Sequence, residues 1–384
     1  MSSKLFLALT ITVVLYAVVV VNINHIPLPL QKHSVAEKPA IDGKRWQLEV
    51  VIPIAGAAGP ESVAFDQLGD GPYTGISDGR IIKWQENERR WINFATTSLN
   101  REGCEGEGEE YHHLKEHMCG RPLGICFSEV SGHLYIADAY MGLLKVGPQG
   151  GLATPIATHA QGTPLKFTNS LDINQSDESI YFTDSTSLYQ RRNYLWVILS
   201  GDKTARLMKY EQESKQVTVL LNNLSFPNGV ALSKDGSFLV FAETSKCRIQ
   251  RYWLKTSKAG TLETLAKLPG FPDNIKRSPR GGFWVAMHSR SGKILSWMLS
   301  YPQPGKSLVR LLRFDIMMKA YSVVSKYRGS GLAIRLSEDG EILEMLEDKV
   351  SEYRMKSMSE VQEKEGDLWI GSIDMPFVGM YRMY

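Results

Sequence analysis

Phe226-Pro227-Asn228-Gly229-Val230-Ala231-Leu232-Ser233-Lys234-Asp235-Gly236-Ser237-Phe238-Leu239-Val240-Phe241-Ala242-Glu243-Thr244 is the stretch from which the rest of this chain is read. A turn at Pro227 releases a short alternating strand, Val230 to Leu232. Lys234-Asp235-Gly236 then reverses the chain, and the apolar run Phe238 to Ala242 returns as a deeper strand.

The same pattern recurs five more times. Its openings are Gly59-Pro60-Glu61-Ser62, Arg121-Pro122-Leu123-Gly124, Phe167-Thr168-Asn169-Ser170, Phe271-Pro272-Asp273-Asn274 and Met358-Ser359-Glu360-Val361. Six copies, about 45 to 85 residues apart, each match the length of a four-stranded sheet, and radial repetition of such sheets is a β-propeller. The expected architecture is all-β, a six-bladed β-propeller over 45–384. Gln47 to Ile54 reads as a strand that completes the last sheet and seals the ring. Ser291 to Ser325 breaks the alternation, and Leu308 to Met318 reads as helical, an insertion near the mouth of the channel.

Composition sets the class. Of 384 residues, 43% are hydrophobic and 22% charged, as in an ordinary globular protein. A net charge of +3, with no basic stripe interleaved with aromatics, excludes nucleic acid as a partner. Leu5 to Val21 is uncharged and just long enough to span a bilayer. No small-x-small cleavage pattern follows it, so 1–24 reads as an uncleaved signal-anchor helix and 25–44 as a linker. Lys4 and the terminal amine keep the short end cytosolic, which sends the propeller into the secretory lumen, with the endoplasmic reticulum membrane or the vacuole as destination. Asn174-Gln175-Ser176 and Asn223-Leu224-Ser225 are glycosylation sequons that agree with that exposure. Cys104 and Cys119 bracket an acidic loop and are a candidate disulfide in that compartment, whereas Cys126 and Cys247 lie in apolar strand patterns and read as buried free thiols. His112, His113 and His117 share the loop but match no zinc-finger spacing.

One position stays in register through all six copies: Glu61, Leu123, Asn169, Asn228, Asp273 and Ser359. In a propeller the first strand of each blade lines the axis, so these side chains converge. Four carry carboxylate or amide oxygens, and Asn274 adds a fifth donor if the start of its strand is irregular. Two carboxylates and three amide carbonyls form the hard-oxygen set that Ca2+ takes.

Gly59-Pro60-Glu61-Ser62, Cys119-Gly120-Arg121-Pro122-Leu123-Gly124, Tyr181-Phe182-Thr183-Asp184-Ser185, Phe226-Pro227-Asn228-Gly229-Val230 and Gly270-Phe271-Pro272-Asp273-Asn274-Ile275 resemble the strictosidine synthase-like proteins of plants and their animal counterpart, the adipocyte plasma membrane-associated protein. These are grouped with paraoxonases and gluconolactonases as six-bladed propellers. The resemblance implies that Glu61, Asn169, Asn228, Asp273 and Asn274 are calcium ligands. It also implies that Ser359 stands where true strictosidine synthases carry a catalytic glutamate, and Leu123 where paraoxonases carry a histidine.

A serine is no acid or base near neutral pH, and ideal strand alternation aims Glu360 at the opposite face unless a one-residue slip restores it. The reading is therefore a calcium-dependent arylesterase or lactonase acting on a small hydrophobic substrate, with Asp273, Ser359 and Glu360 as the candidate catalytic groups. An amine–aldehyde condensing enzyme and a non-catalytic, calcium-stabilised binding propeller are the alternatives.

Overall fold

The computed structural model describes residues 48–105, 109–291, 331–347 and 355–383, together with residues 299, 303, 305 and 306. The signal-anchor and linker stretches and the Leu308 to Met318 helix expected from sequence lie outside them. Among the described residues no helix is long and apolar enough to cross a membrane.

Six sheets follow one another along the chain, each meandering outward from the axis. Blade 1 comprises Val63–Ala64, Tyr73–Gly75, Arg80–Gln85 and Arg90–Thr96, with Gly151–Leu152 added in parallel at its edge. Blade 2 runs Pro122–Phe127, Leu134–Asp138, Gly142–Val146 and Thr154–Ala157. Blade 3 has Thr168–Asn174, Ser179–Asp184, Ala205–Glu211 and Gln216–Leu224. Blade 4 has Pro227–Leu232, Phe238–Glu243, Arg248–Trp253 and Leu262–Lys267. Blade 5 has Gly270–Arg277, Phe283–Arg290, Leu332–Leu336 and Ile342–Glu347.

Blade 6 takes three strands from the C-terminal end, Met358–Lys364, Asp367–Ser372 and Phe377–Arg382, and its fourth, Val50–Pro53, from the N-terminal side. Val50 faces Met380 and Pro53 faces Phe377 in an antiparallel pair. This is the closure read from Gln47 to Ile54, and it leaves the ring no free seam.

The core is divided rather than central. Each junction between neighbouring blades holds its own apolar cluster, for example Val240, Ala242, Val285 and Ile334 between blades 4 and 5, and Val63, Ile82 and Val378 between blades 6 and 1. Inner strands approach closely at glycines. A Cβ on Gly229 would lie 2.3 Å from the Ile275 nitrogen and 2.5 Å from the Asn274 Cα. Gly229→Ala is therefore expected to destabilise the propeller by about 1–3 kcal/mol through overpacking, read from the midpoint of chemical unfolding. An unchanged midpoint would mean that blades 4 and 5 are less tightly apposed.

Candidate metal and active site

In five of the six blades the first strand slips register at the repeated phase: between Pro122 and Gly124, Thr168 and Leu171, Pro227 and Val230, Pro272 and Ile275, and Met358 and Glu360. Such slips re-aim side chains that ideal alternation would send to opposite faces. An acid at the end of the second strand pins the start of the first in three of these blades. Asp138 accepts the Arg121 N–H at 2.8 Å, Asp184 that of Phe167 at 2.8 Å, and Glu243 that of Ser225 at 3.0 Å.

These devices bring the expected donors together. The Asn274 Nδ2 donates to Glu61 Oε1 at 3.0 Å, across 213 residues of sequence, and the Asn228 Nδ2 donates to Asp273 Oδ1 at 2.6 Å. Asn169 turns its Nδ2 to Ser185 Oγ at 2.9 Å, and that hydroxyl donates to the Pro227 carbonyl. Consecutive Asp273 and Asn274 both reach donors of other blades because the slip falls beside them. All five side chains are buried, none more than 6% exposed.

Each of the three amides thus spends its NH2 group on a neighbour. The Asn169, Asn228 and Asn274 Oδ1 atoms and Glu61 Oε2 remain buried without a hydrogen-bond partner. One orphaned buried acceptor costs about 1–3 kcal/mol, and four from one set of five residues is not a packing accident. The carboxylates are strained as well. Burial, with Glu360 nearby, pushes Glu61 up to about 7 against the pull of Arg121, and burial with Glu61 beside it pushes Asp273 well above the usual carboxylate range. A divalent cation among these oxygens would satisfy the orphaned acceptors and neutralise the pair, so the residues present fit Ca2+. Among the described residues no three His, Cys, Asp or Glu side chains gather as a metal cluster, because three of these five donors are amides.

Ser359 and Glu360 are both engaged by neighbouring blades. Ser359 Oγ donates to the Glu61 carbonyl, so it fixes the chain that carries a donor and has no proton-transfer partner. Glu360 does not face away from the channel. The slip after Met358 turns it inward, where Oε1 accepts the Val63 N–H at 2.6 Å and Oε2 lies 3.4 Å from Lys276 Nζ. Burial pushes it up to about 7 despite Lys276.

Above the donors lies a network that sequence reasoning missed. Helix α1, Glu109–Cys119, is tied at its end by a disulfide from Cys119 to Cys104, with Cα atoms 5.6 Å apart. It presents Glu116 to Arg191 at 2.5 Å, to the Tyr140 hydroxyl at 2.8 Å and to Arg121 at 3.8 Å. Arg121 is fully buried and donates to the Gly59 carbonyl; burial and Arg191 push it down to about 10. On α1 the histidines do not converge: His112 meets Ser77 Oγ, His113 is half-buried and His117 is exposed. The free thiols Cys126 and Cys247 are half-buried, and Cys247 sits in a turn before its strand rather than within it. Removing the disulfide with Cys104→Ser and Cys119→Ser is expected to cost about 3 kcal/mol for its 15-residue loop, seen as a lower unfolding midpoint; no loss would mean that α1 is held without it.

Beside this network, α2 (Tyr194–Ser200) covers an apolar cluster of Leu123, Phe167, Val197 and Phe226, flanked by Tyr140, Tyr189 and Tyr194. Leu123 therefore occupies the donor phase as an apolar wall.

The strictosidine synthase family profile matches residues 169–257, and the strictosidine synthase-like N-terminal profile matches residues 50–84. A strictosidine synthase-like 2 protein of Arabidopsis thaliana is 55% identical over 340 residues, covering 87% of this chain and 89% of the relative. The chain belongs to the strictosidine synthase-like family. An adipocyte plasma membrane-associated protein of Salmo salar, 37% identical over 331 residues, covers 83% of this strictosidine synthase-like chain and 74% of its own. In fold it is similar to a gluconolactonase from Xanthomonas campestris (TM-score 0.55, 12% identity, 87% of this chain and 91% of that one). A calcium-binding regucalcin from Agrobacterium tumefaciens is as similar (TM-score 0.55, 13% identity, 88% and 96%).

Proposed function

We propose that this strictosidine synthase-like propeller is a calcium-dependent hydrolase of small hydrophobic esters or lactones. The observation that carries the reading is the set of four buried, unpartnered oxygens on Glu61, Asn169, Asn228 and Asn274, gathered with the Asp273 carboxyl group. The gluconolactonase and regucalcin likenesses support it at the level of fold. Calcium, when held by the five residues, would polarise a carbonyl and lower the pKa of water.

The chain's own residues supply the rest. Asp273, with Oδ1 fixed by Asn228, offers its other oxygen to the proton of a water attacking the carbonyl carbon. As the C–O bond breaks, that proton passes to the leaving oxygen. The Leu123, Phe167 and Phe226 wall takes the apolar part of the substrate and excludes bulk water.

Condensation of an amine with an aldehyde is the weaker reading, because Ser359 is tied to a carbonyl and both Glu360 oxygens are engaged. Turnover of phenyl acetate and γ-lactones with calcium, lost with chelator, is the expected result. Thermal stabilisation by calcium without turnover would leave a binding propeller, and amine plus aldehyde consumption that stops in Glu360→Ala would replace hydrolysis by condensation.

For placement we propose a membrane-anchored, glycosylated protein facing the secretory lumen. Asn223 is exposed and Asn174 half-buried at a strand end, so Asn174→Gln and Asn223→Gln are each expected to abolish one glycosidase-sensitive gel shift. A chain that shows no shift when made in a eukaryotic secretory host would contradict the lumenal orientation.

A further inference from the structure

Three residues beyond the donor phase the inner strands carry a second set of polar side chains: Asp172 follows Asn169, and Lys276 follows Asp273. Lys276 leaves blade 5 and crosses the channel, its Nζ 3.4 Å from the Ile125 carbonyl of blade 2 and 3.4 Å from Glu360 Oε2 of blade 6. Glu360 in turn holds the Val63 N–H of blade 1. Asp172 of blade 3 takes the Leu232 N–H of blade 4 at 2.7 Å. Blades 2, 5 and 6 therefore meet at one ammonium group, and Glu360 carries the link on to blade 1.

We propose that the Lys276 ammonium is a tethered cation filling the channel axis below the calcium donors, where it ties Glu360 of blade 6 to blades 2 and 5 and limits the chain to one divalent cation.

The geometry is that of a cation among oxygens rather than of a single strong bond. Both Nζ distances exceed the usual hydrogen-bond range, so the charge is shared between a carboxylate of blade 6 and a carbonyl of blade 2. An alkali or alkaline-earth ion is recognised by the same carboxylate and carbonyl oxygens. The ammonium differs in being covalently attached, so it cannot be chelated away, and it blocks passage along the lower channel.

The inference rests on the calcium reading of the upper donors only for the number one. Its test is calcium titration calorimetry on the full-length chain in detergent, comparing wild type with Lys276→Met, which keeps the length of the side chain and removes the charge. One equivalent in wild type and two in Lys276→Met are expected, with the added equivalent lost again when Glu360→Gln is combined with Lys276→Met. Lys276→Arg is expected to stay at one.

Two equivalents in wild type would overturn the proposal. So would equal counts in wild type and Lys276→Met, whatever the stability of the variant; if Lys276→Met does not fold in any calcium concentration, Lys276→Gln is read by the same criterion. If wild type binds no calcium, the proposed function fails, and the difference of one equivalent between variant and wild type still decides this inference.

Discussion

Asp273→Asn is expected to lower calcium-dependent turnover of phenyl acetate or a small lactone by at least about 10²-fold, the scale at which electrostatic stabilisation of a developing oxyanion acts. Asp273 is one of two carboxylates in a five-oxygen set whose other members are Glu61 and three asparagines, and calcium affinity follows the number of charged ligands. The substitution is nearly isosteric, and its amide oxygen still accepts from Asn228 Nδ2, so the fold is preserved. It also removes a buried carboxylate that is costly to ionise beside Glu61. Stability without metal is therefore expected to hold or rise while turnover and calcium binding fall. The comparison of kcat/KM with the unfolding midpoint in chelator checks both halves. Undiminished turnover would remove Asp273 from the site.

Calcium is expected to stabilise the propeller by about 2.7 kcal/mol at a hundredfold excess over its dissociation constant, and, at a fixed calcium concentration, by more as pH rises from 5 to 8. Glu61 is raised by burial from 4.5 to about 7 in the folded, metal-free chain. A carboxyl group raised in this way binds its proton more tightly folded than unfolded. Its contribution is full below about 4.5 and is lost as pH climbs through about 7. Glu360, raised to about 7 by burial, acts in the same direction. Calcium takes the deprotonated pair, so its binding releases protons and reverses the trend. Calorimetric melting with calcium and with chelator across that range is the check. A calcium increment that does not change with pH would mean that Glu61 and Asp273 are not titrating against the ion.

The ring and its donors were legible because both are periodic. A phase repeated six times fixes which residues share the axis even when no single turn is distinctive. The four donors at that phase needed only the rule that inner strands converge; Asn274, one residue on, needed an irregular strand start as well. The orientation of Glu360 stayed open in the sequence for a definite reason: ideal alternation sends it outward, and only the register slip that the structure places between Met358 and Glu360 turns it back. The same slip recurs in blades 2 to 5, so the Asp273-Asn274 pair carried a signal for it.

Lys276 and Asp172 also had a signal, since they share a second phase, three residues further on. The network of Glu116, Arg121 and Arg191 had none. Glu116 lies on a helix inserted between blades, and its Arg191 contact spans 75 residues and depends on how two insertions fold over the channel. Such contacts are set by packing rather than by any repeat.

The most direct test is a crystal structure grown in millimolar calcium, with anomalous differences recorded at a long wavelength. The expected result is a single strong peak on the propeller axis, about 2.3–2.6 Å from oxygens of Glu61, Asn169, Asn228, Asp273 and Asn274. No peak at that position, with the three asparagine carbonyls turned to protein donors instead, would contradict the account.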